Sequence, residues 1–66
     1  MKLVINGQPQ EVATDITLQV LLENQRIAPN SIALVRNGVI APRSSWHTTQ
    51  CVPNDHIDIF SAVAGG

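Results

Sequence analysis

Apolar and polar residues are arranged along this chain in short blocks, and the period of the pattern changes from block to block. Lys2-Leu3-Val4-Ile5 is apolar and rich in β-branched residues, and Asn6-Gly7 stops it. Asn-Gly after a strand-like run predicts a hairpin, because a type I′ turn needs positive φ at both central residues. Gln8 to Ala13 is then the returning strand, with Pro9 at a sheet edge or a non-bonded position because it has no N–H to donate. The period next becomes helical. Leu18, Leu21, Leu22 and Gln25 fall at i, i+3, i+4 and i+7, with Thr17 placed to cap the first turn. Val20 lies off this stripe, towards a neighbouring loop, and Pro29-Asn30 breaks the pattern. Ile32 to Arg36 is strand-like again, and a second Asn-Gly, Asn37-Gly38, returns it as a short strand from Val39 to Ala41 before Pro42. Arg43 to Thr49 has no clear period and reads as a loop or a single 3₁₀ turn held by Trp46. Gln50 to Val52 reads as a brief strand, and Pro53-Asn54-Asp55 as a turn. A final strand is predicted over 56–63, with Ile57, Ile59, Ser61 and Val63 on one face and His56, Asp58, Phe60 and Ala62 on the other.

This order of elements predicts an α+β fold, in which a mixed sheet of four to five strands carries one main helix on one face. The chain reads as a single domain, 1–66, with a folded body over 1–63 and a flexible Gly-Gly tail over 64–66. Nothing in the tail offsets the entropy of ordering it. A body this small buries only about 60% of its unfolded surface, which limits stability to a few kcal/mol, on the order of 5 or less. The one cysteine, Cys51, excludes an internal disulfide. With His47 and His56 it gives too few ligands for a closed zinc site, so no metal is expected.

Charge narrows the partners. The net charge is −1, and the four basic residues, Lys2, Arg26, Arg36 and Arg43, are scattered. No basic stripe points to nucleic acid. No run of about 18 apolar residues predicts a membrane span, and no leader pattern is present. The expected location is the cytoplasm.

Candidate chemistry is sparse. Cys51 is either a nucleophile activated by His47 or His56, or a small apolar residue in a strand. Nothing nearby predicts a lowered thiol pKa, and the second reading is preferred. The two histidines are expected at exposed positions without a partner. Glu11, Asp15, Glu23, Asp55 and Asp58 form no acid/base pair, and Gly7 and Gly38 belong to turns, not to a phosphate loop. The chain offers no catalytic residue of its own. Trp46 is a binding residue or, preferably, the bulk that fills the core under the long loop. Phe60 points outward if Ile57 and Ile59 point inward. It is then a docking residue, unless the helix or a loop covers both faces. The tail, Ala62-Val63-Ala64-Gly65-Gly66, is an ordinary terminus or a carboxylate substrate. A carboxylate is inert to nucleophiles until adenylation gives it a leaving group. The adenylating site must hold the carboxylate within about 3–3.5 Å of the reacting phosphate. Glycines would pass a narrow channel that side chains would block.

The whole chain resembles the ThiS family, the ubiquitin-like β-grasp sulfur carriers of thiamin biosynthesis. The likeness rests on the Asn6-Gly7 turn, on Thr17-Leu18-Gln19-Val20-Leu21-Leu22, on Asn37 to Trp46 with its Pro42-Arg43-Ser44-Ser45-Trp46 segment, and on Asp55 to Ile59 leading to Val63-Ala64-Gly65-Gly66. Two positions depart from the family pattern. Pro53-Asn54-Asp55 stands for Asp-Gly-Asp, and Ala41 stands for Val. The resemblance implies a non-enzyme that binds no cofactor itself. A ubiquitin-activating-like enzyme would use Mg-ATP to adenylate Gly66. Sulfur, drawn from a cysteine desulfurase, would convert the adenylate to a thiocarboxylate, and thiazole synthase would take that sulfur. Gly65 and Ala64 would give channel clearance, and Phe60, Ala62 and Val63 would dock partners. The rivals are the sulfur carrier of molybdopterin synthase, a ubiquitin-like protein modifier, and a β-grasp interaction module with an inert tail. An enzyme using Cys51 is the most distant alternative.

Overall fold

The computed structural model describes residues 1–27 and 32–61. Five strands form one sheet: β1 (Lys2–Ile5), β2 (Gln8–Glu11), β3 (Ile32–Arg36), β4 (Val39–Ala41) and β5 (His56–Ser61). One α-helix, α1 (Leu18–Asn24), and a 3₁₀ turn over Arg43–Ser45 complete the elements. The strand order is β2-β1-β5-β3-β4. β1 and β5 run parallel, with Val4 beside His56, and the other pairs are antiparallel. The predicted mixed sheet with one helix is therefore present.

Both Asn-Gly pairs turn as expected. Asn6 and Gly7 have φ of 51° and 80°, and Asn37 and Gly38 have 51° and 83°. Asn adopts this left-handed region at lower cost than most residues with a Cβ, and Gly adopts it freely. Pro9 sits on edge strand β2, opposite Val4. Asn54, with φ of 69°, supplies the left-handed residue of the turn before β5. Asn tolerates that conformation at lower cost than most residues with a Cβ, so the turn forms without a glycine.

The helix stripe packs on the sheet. Leu18, Leu21 and Leu22 are buried with Leu3 and Ile5 of β1, Leu34 of β3 and Ile57 of β5, and the cluster extends to Ile16, Trp46 and Cys51. Thr17 Oγ1 accepts the Val20 N–H at 3.3 Å, the predicted cap. Two more N–H groups of the first turn are taken by the loop: Leu18 donates to the Thr49 carbonyl and Gln19 to that of Trp46. The helix ends before its fourth stripe position. Gln25 is the C-cap, half-buried, and its carboxamide bonds that of Gln10 at 3.1 Å.

Trp46 is buried beneath the long loop, and its indole N–H donates to the Ala41 carbonyl at 2.8 Å, so the core-filling reading holds. The brief strand expected at Gln50 to Val52 does not form. Only an isolated bridge joins Gln50 to Thr17. The Cys51 N–H goes to the Ile16 carbonyl, and the Val52 N–H goes to the Asp55 side chain, which leaves no ladder to extend. Val20 is 42% exposed, so no loop covers it. The last strand is described to Ser61. Ala62 and Val63, placed in it by the sequence, lie outside the described residues, as do Ala64, Gly65 and Gly66. Among the described residues no helix is long and apolar enough to cross a membrane.

Candidate functional site

β5 is the strand from which the tail departs, and three side chains outside the core hold it in place. On the β3 side it pairs from Ile32↔Ser61 to Arg36↔Ile57. On the β1 side the ladder ends early, because β1 stops at Ile5 beside Ile57. Asn6 continues it. Its N–H donates to the Ile57 carbonyl at 2.8 Å, and its Oδ1 accepts the Ile59 N–H at 2.8 Å. Asn37 acts in the same way at the other end of the strand. Its backbone N–H donates to the His56 carbonyl, and its Oδ1 accepts the His56 N–H at 2.9 Å. Each hairpin asparagine thus shapes its own turn and pins the central strand.

The third anchor is Asp55, 3% exposed at the start of β5. Its carboxylate accepts from Arg36 Nε at 2.8 Å, Asn37 Nδ2 at 2.9 Å and the Val52 N–H at 2.9 Å. Burial alone would raise its pKa. The Val52, Asn37 and Arg36 hydrogen bonds and the Arg36 charge outweigh burial and hold the carboxyl below its ordinary value. The sequence reading missed this network. The available signal was an acid in a turn next to two positions, Arg36 and Asn37, that strand pairing brings to β5.

Alternation on β5 places Phe60 opposite to Ile57. Ile57 is fully buried and Phe60 is 56% exposed, so the outward reading of Phe60 holds. Its cross-strand neighbour is Ala33. Two residues along, Asp58 faces Val35, which faces Ile40 on β4, and Ile40 is 70% exposed. Phe60, Ala33, Val35 and Ile40 therefore share the sheet face that α1 does not cover. These apolar groups are thus gathered on one face and not scattered singly. A shallow depression of about 200 Å³ lies at the β4 edge, lined by Arg36, Val39, Ile40, Ala41, Ser45 and Thr49. Its charged member, Arg36, is already engaged by Asp55.

The described residues gather no catalytic group. No three His, Cys, Asp or Glu side chains converge as metal ligands would. His47 and His56 are both exposed. Cys51 is buried at 4% exposure, which pushes its thiol pKa up; the Asp55 charge adds to this and Arg36 partly opposes it. An activated thiol needs the opposite setting.

The ThiS family model matches residues 3–66, nearly the whole chain. The chain belongs to the ThiS family. The crystal structure of the thiamine biosynthesis protein ThiS from Geobacter metallireducens superposes with a TM-score of 0.87 at 25% identity, covering 100% of both chains. Its solution structure gives a TM-score of 0.81 over 100% of this chain and 88% of that one. The mixed five-stranded sheet with one helix is accordingly the ubiquitin-like β-grasp. Among curated relatives, a thiazole synthase of Paramagnetospirillum magneticum is 32% identical over 66 residues, 100% of this chain but 20% of that protein. The chain therefore spans about a fifth of that relative. The uncharacterized protein ycf40 of Porphyra purpurea is 31% identical over 62 residues, covering 94% of this chain and 87% of that protein.

Proposed function

We propose that this ThiS-family chain is a sulfur carrier of thiamin biosynthesis, a protein co-substrate whose Gly66 carboxylate bears the sulfur. A Gly66 oxygen attacks the α-phosphorus of ATP on an activating enzyme of the ubiquitin-activating type, and pyrophosphate leaves. The acyl-adenylate carbonyl carbon is then attacked by a persulfide sulfur supplied through a cysteine desulfurase, and AMP leaves. A thiol cleaves the S–S bond of that product by exchange, leaving the thiocarboxylate on Gly66. Thiazole synthase accepts the sulfur. Mg-ATP belongs to the activating partner, and this chain contributes no cofactor. The reading places the chain in the cytoplasm, where ATP is available.

The observation that carries this reading is the family match, which runs through residue 66 and so includes Gly65-Gly66. Two further observations support it. A relative named thiazole synthase holds the matching stretch as a fifth of its own length, which favours a carrier working beside that enzyme. The open sheet face carries Phe60 one residue before the last described position, within reach of any partner that takes the tail. On this reading Phe60, Ala62 and Val63 dock the partners, while Ala64 and Gly65 give clearance in the channel.

The test is complementation. The chain should restore growth without thiamin to a bacterium lacking its own thiamin sulfur carrier, and should fail to restore a strain lacking the carrier of molybdopterin synthase. Deletion of Gly66 should abolish the rescue at equal protein level. Rescue by the deletion variant, or rescue of the molybdenum strain alone, would reject the reading.

A further inference from the structure

Of the five asparagines in the chain, Asn6 and Asn37 alone precede a glycine. Such a pair is prone to spontaneous change, because glycine has no Cβ to shield its amide nitrogen from the asparagine side chain. The nitrogen attacks Cγ, the Cγ–Nδ2 bond breaks, and ammonia leaves with the proton that the attacking nitrogen gives up. The resulting succinimide takes up water. Opening at the Cγ carbonyl gives aspartate. Opening at the backbone carbonyl gives isoaspartate, whose main chain is longer by one carbon. Water is the only co-reactant. We propose that Asn6 is the site at which the folded chain is modified in this way, that Asn37 is protected, and that conversion of Asn6 to isoaspartate unpins the distal half of β5. This holds whatever the tail carries.

Exposure does not distinguish the two sites, since Asn6, Gly7, Asn37 and Gly38 all lie at the surface. Backbone conformation does not either, since φ is 51° at both asparagines. The difference lies in what holds each carboxamide. Ring closure swings Cγ onto the next amide nitrogen, so the side-chain hydrogen bonds of the asparagine must be released first. At Asn37 both ends are held. Oδ1 accepts the His56 N–H at 2.9 Å, and Nδ2 donates to Asp55 Oδ1 at 2.9 Å. Asp55 is buried and is fixed by Arg36 and the Val52 N–H, so it does not follow the side chain as it moves. Its bond to Nδ2 is charge-assisted, which is the stronger class. At Asn6 only Oδ1 is held, by the Ile59 N–H at 2.8 Å, and among the described residues its Nδ2 has no partner. Release of the additional bond to a charged group slows Asn37 by about tenfold or more.

The structural consequence follows from the same bond. Asn6 Oδ1 continues the β1 side of the ladder beyond Ile57, where β1 itself has ended. In isoaspartate Cγ becomes part of the main chain, the turn gains a carbon, and the Ile59 N–H loses its acceptor. Among the described residues, Ile59 to Ser61 is then held through its pairing with β3, and Phe60 lies within that stretch.

The test holds the full, folded chain at mildly alkaline pH and follows each asparagine by peptide mapping. Conversion shows as the mass gain of replacing NH by oxygen, and fragmentation separates isoaspartate from aspartate. Asn6 should convert about tenfold or more faster than Asn37. In denaturant the two should convert at similar rates, because both are then free Asn-Gly pairs. Asp55→Asn, shown by circular dichroism to be folded, should narrow the gap by weakening the hold on Asn37 Nδ2. The purified chain with isoaspartate at position 6 should exchange the Ile59 amide hydrogen about fivefold or more faster than the unmodified chain, while the Leu22 amide in α1 is unchanged. Conversion of Asn37 as fast as Asn6 in the folded wild type would overturn the inference. So would an intact Asn6 over a period in which the unfolded chain converts, a gap unchanged in folded Asp55→Asn, or an unaltered exchange rate at Ile59.

Discussion

The two faces of the sheet are built from the same strands, yet only one is closed. On the helix side, Leu3, Ile5, Leu34 and Ile57 meet Leu18, Leu21 and Leu22, and all are buried. On the other side, Val4, Ala33, Val35, Ile40 and Phe60 stand among Lys2, His56 and Asp58. An antiparallel or mixed sheet with one covered face normally alternates apolar-in and polar-out. The closed face follows that rule because packing against α1 requires it. The open face departs from it along the sheet, from Val4 beside His56 to Phe60 beside Ala33. The contrast separates residues buried between helix and sheet from apolar residues left at the surface.

The contrast predicts a large stability effect on the closed side. Trp46→Ala should lower unfolding free energy by about 3–5 kcal/mol, read by denaturant titration, because it removes the largest buried side chain and the bond to Ala41. For a domain this small that approaches complete unfolding. A loss below about 1 kcal/mol would show that the loop, and not the tryptophan, closes the core.

An intermediate effect is expected at the start of β5. Asp55→Ala strips three hydrogen bonds from a buried carboxylate and should cost about 2–4 kcal/mol, the exposed part of Arg36 moderating the loss. The sign of the pH dependence follows from the lowered pKa. Folding favours the ionised carboxylate, so this contribution is fully present above about pH 4 and is lost as pH falls through the folded value. Wild type should therefore lose stability more steeply below about pH 4 than Asp55→Asn does, as measured by melting temperature across pH. Parallel curves would mean that the carboxylate charge does not matter.

The smallest stability effect belongs to the open face. Phe60→Ala should change unfolding free energy by less than about 0.5 kcal/mol while raising the carrier concentration needed to half-saturate an activating enzyme in ATP–pyrophosphate exchange. A cooperative loss of the fold would place Phe60 with the core and erase the contrast.

Much of the closed face was legible in the sequence because its signals are local. Asn6-Gly7 and Asn37-Gly38 announce turns in two residues, and Leu18, Leu21 and Leu22 announce a helix face in five. The outward position of Phe60 also followed from a period of two, once Ile57 was assigned to the core. The anchoring of β5 was not legible. Asp55 meets partners 18 and 19 residues away, and Asn6 reaches Ile59 across 53, contacts that only the strand order β1-β5-β3 creates. Gln25 fits the helical stripe yet caps the helix, because the next residue, Arg26, turns to a φ of 59° and ends the helical run. The brief strand over Gln50 to Val52 failed for a related reason. A side chain, Asp55, took the N–H that a neighbouring strand would have used.

The central claim is that the reacting atom lies at Gly66 and every catalytic group lies elsewhere. Intact-mass measurement after incubation with the activating enzyme, Mg-ATP and a sulfur source tests it most directly. The account predicts a mass gain equal to replacing one oxygen by sulfur, located to Gly66 by fragmentation, lost on deleting Gly66 and retained in Cys51→Ser. An unchanged mass with the full set of partners, or sulfur found on Cys51 and not on Gly66, would contradict it.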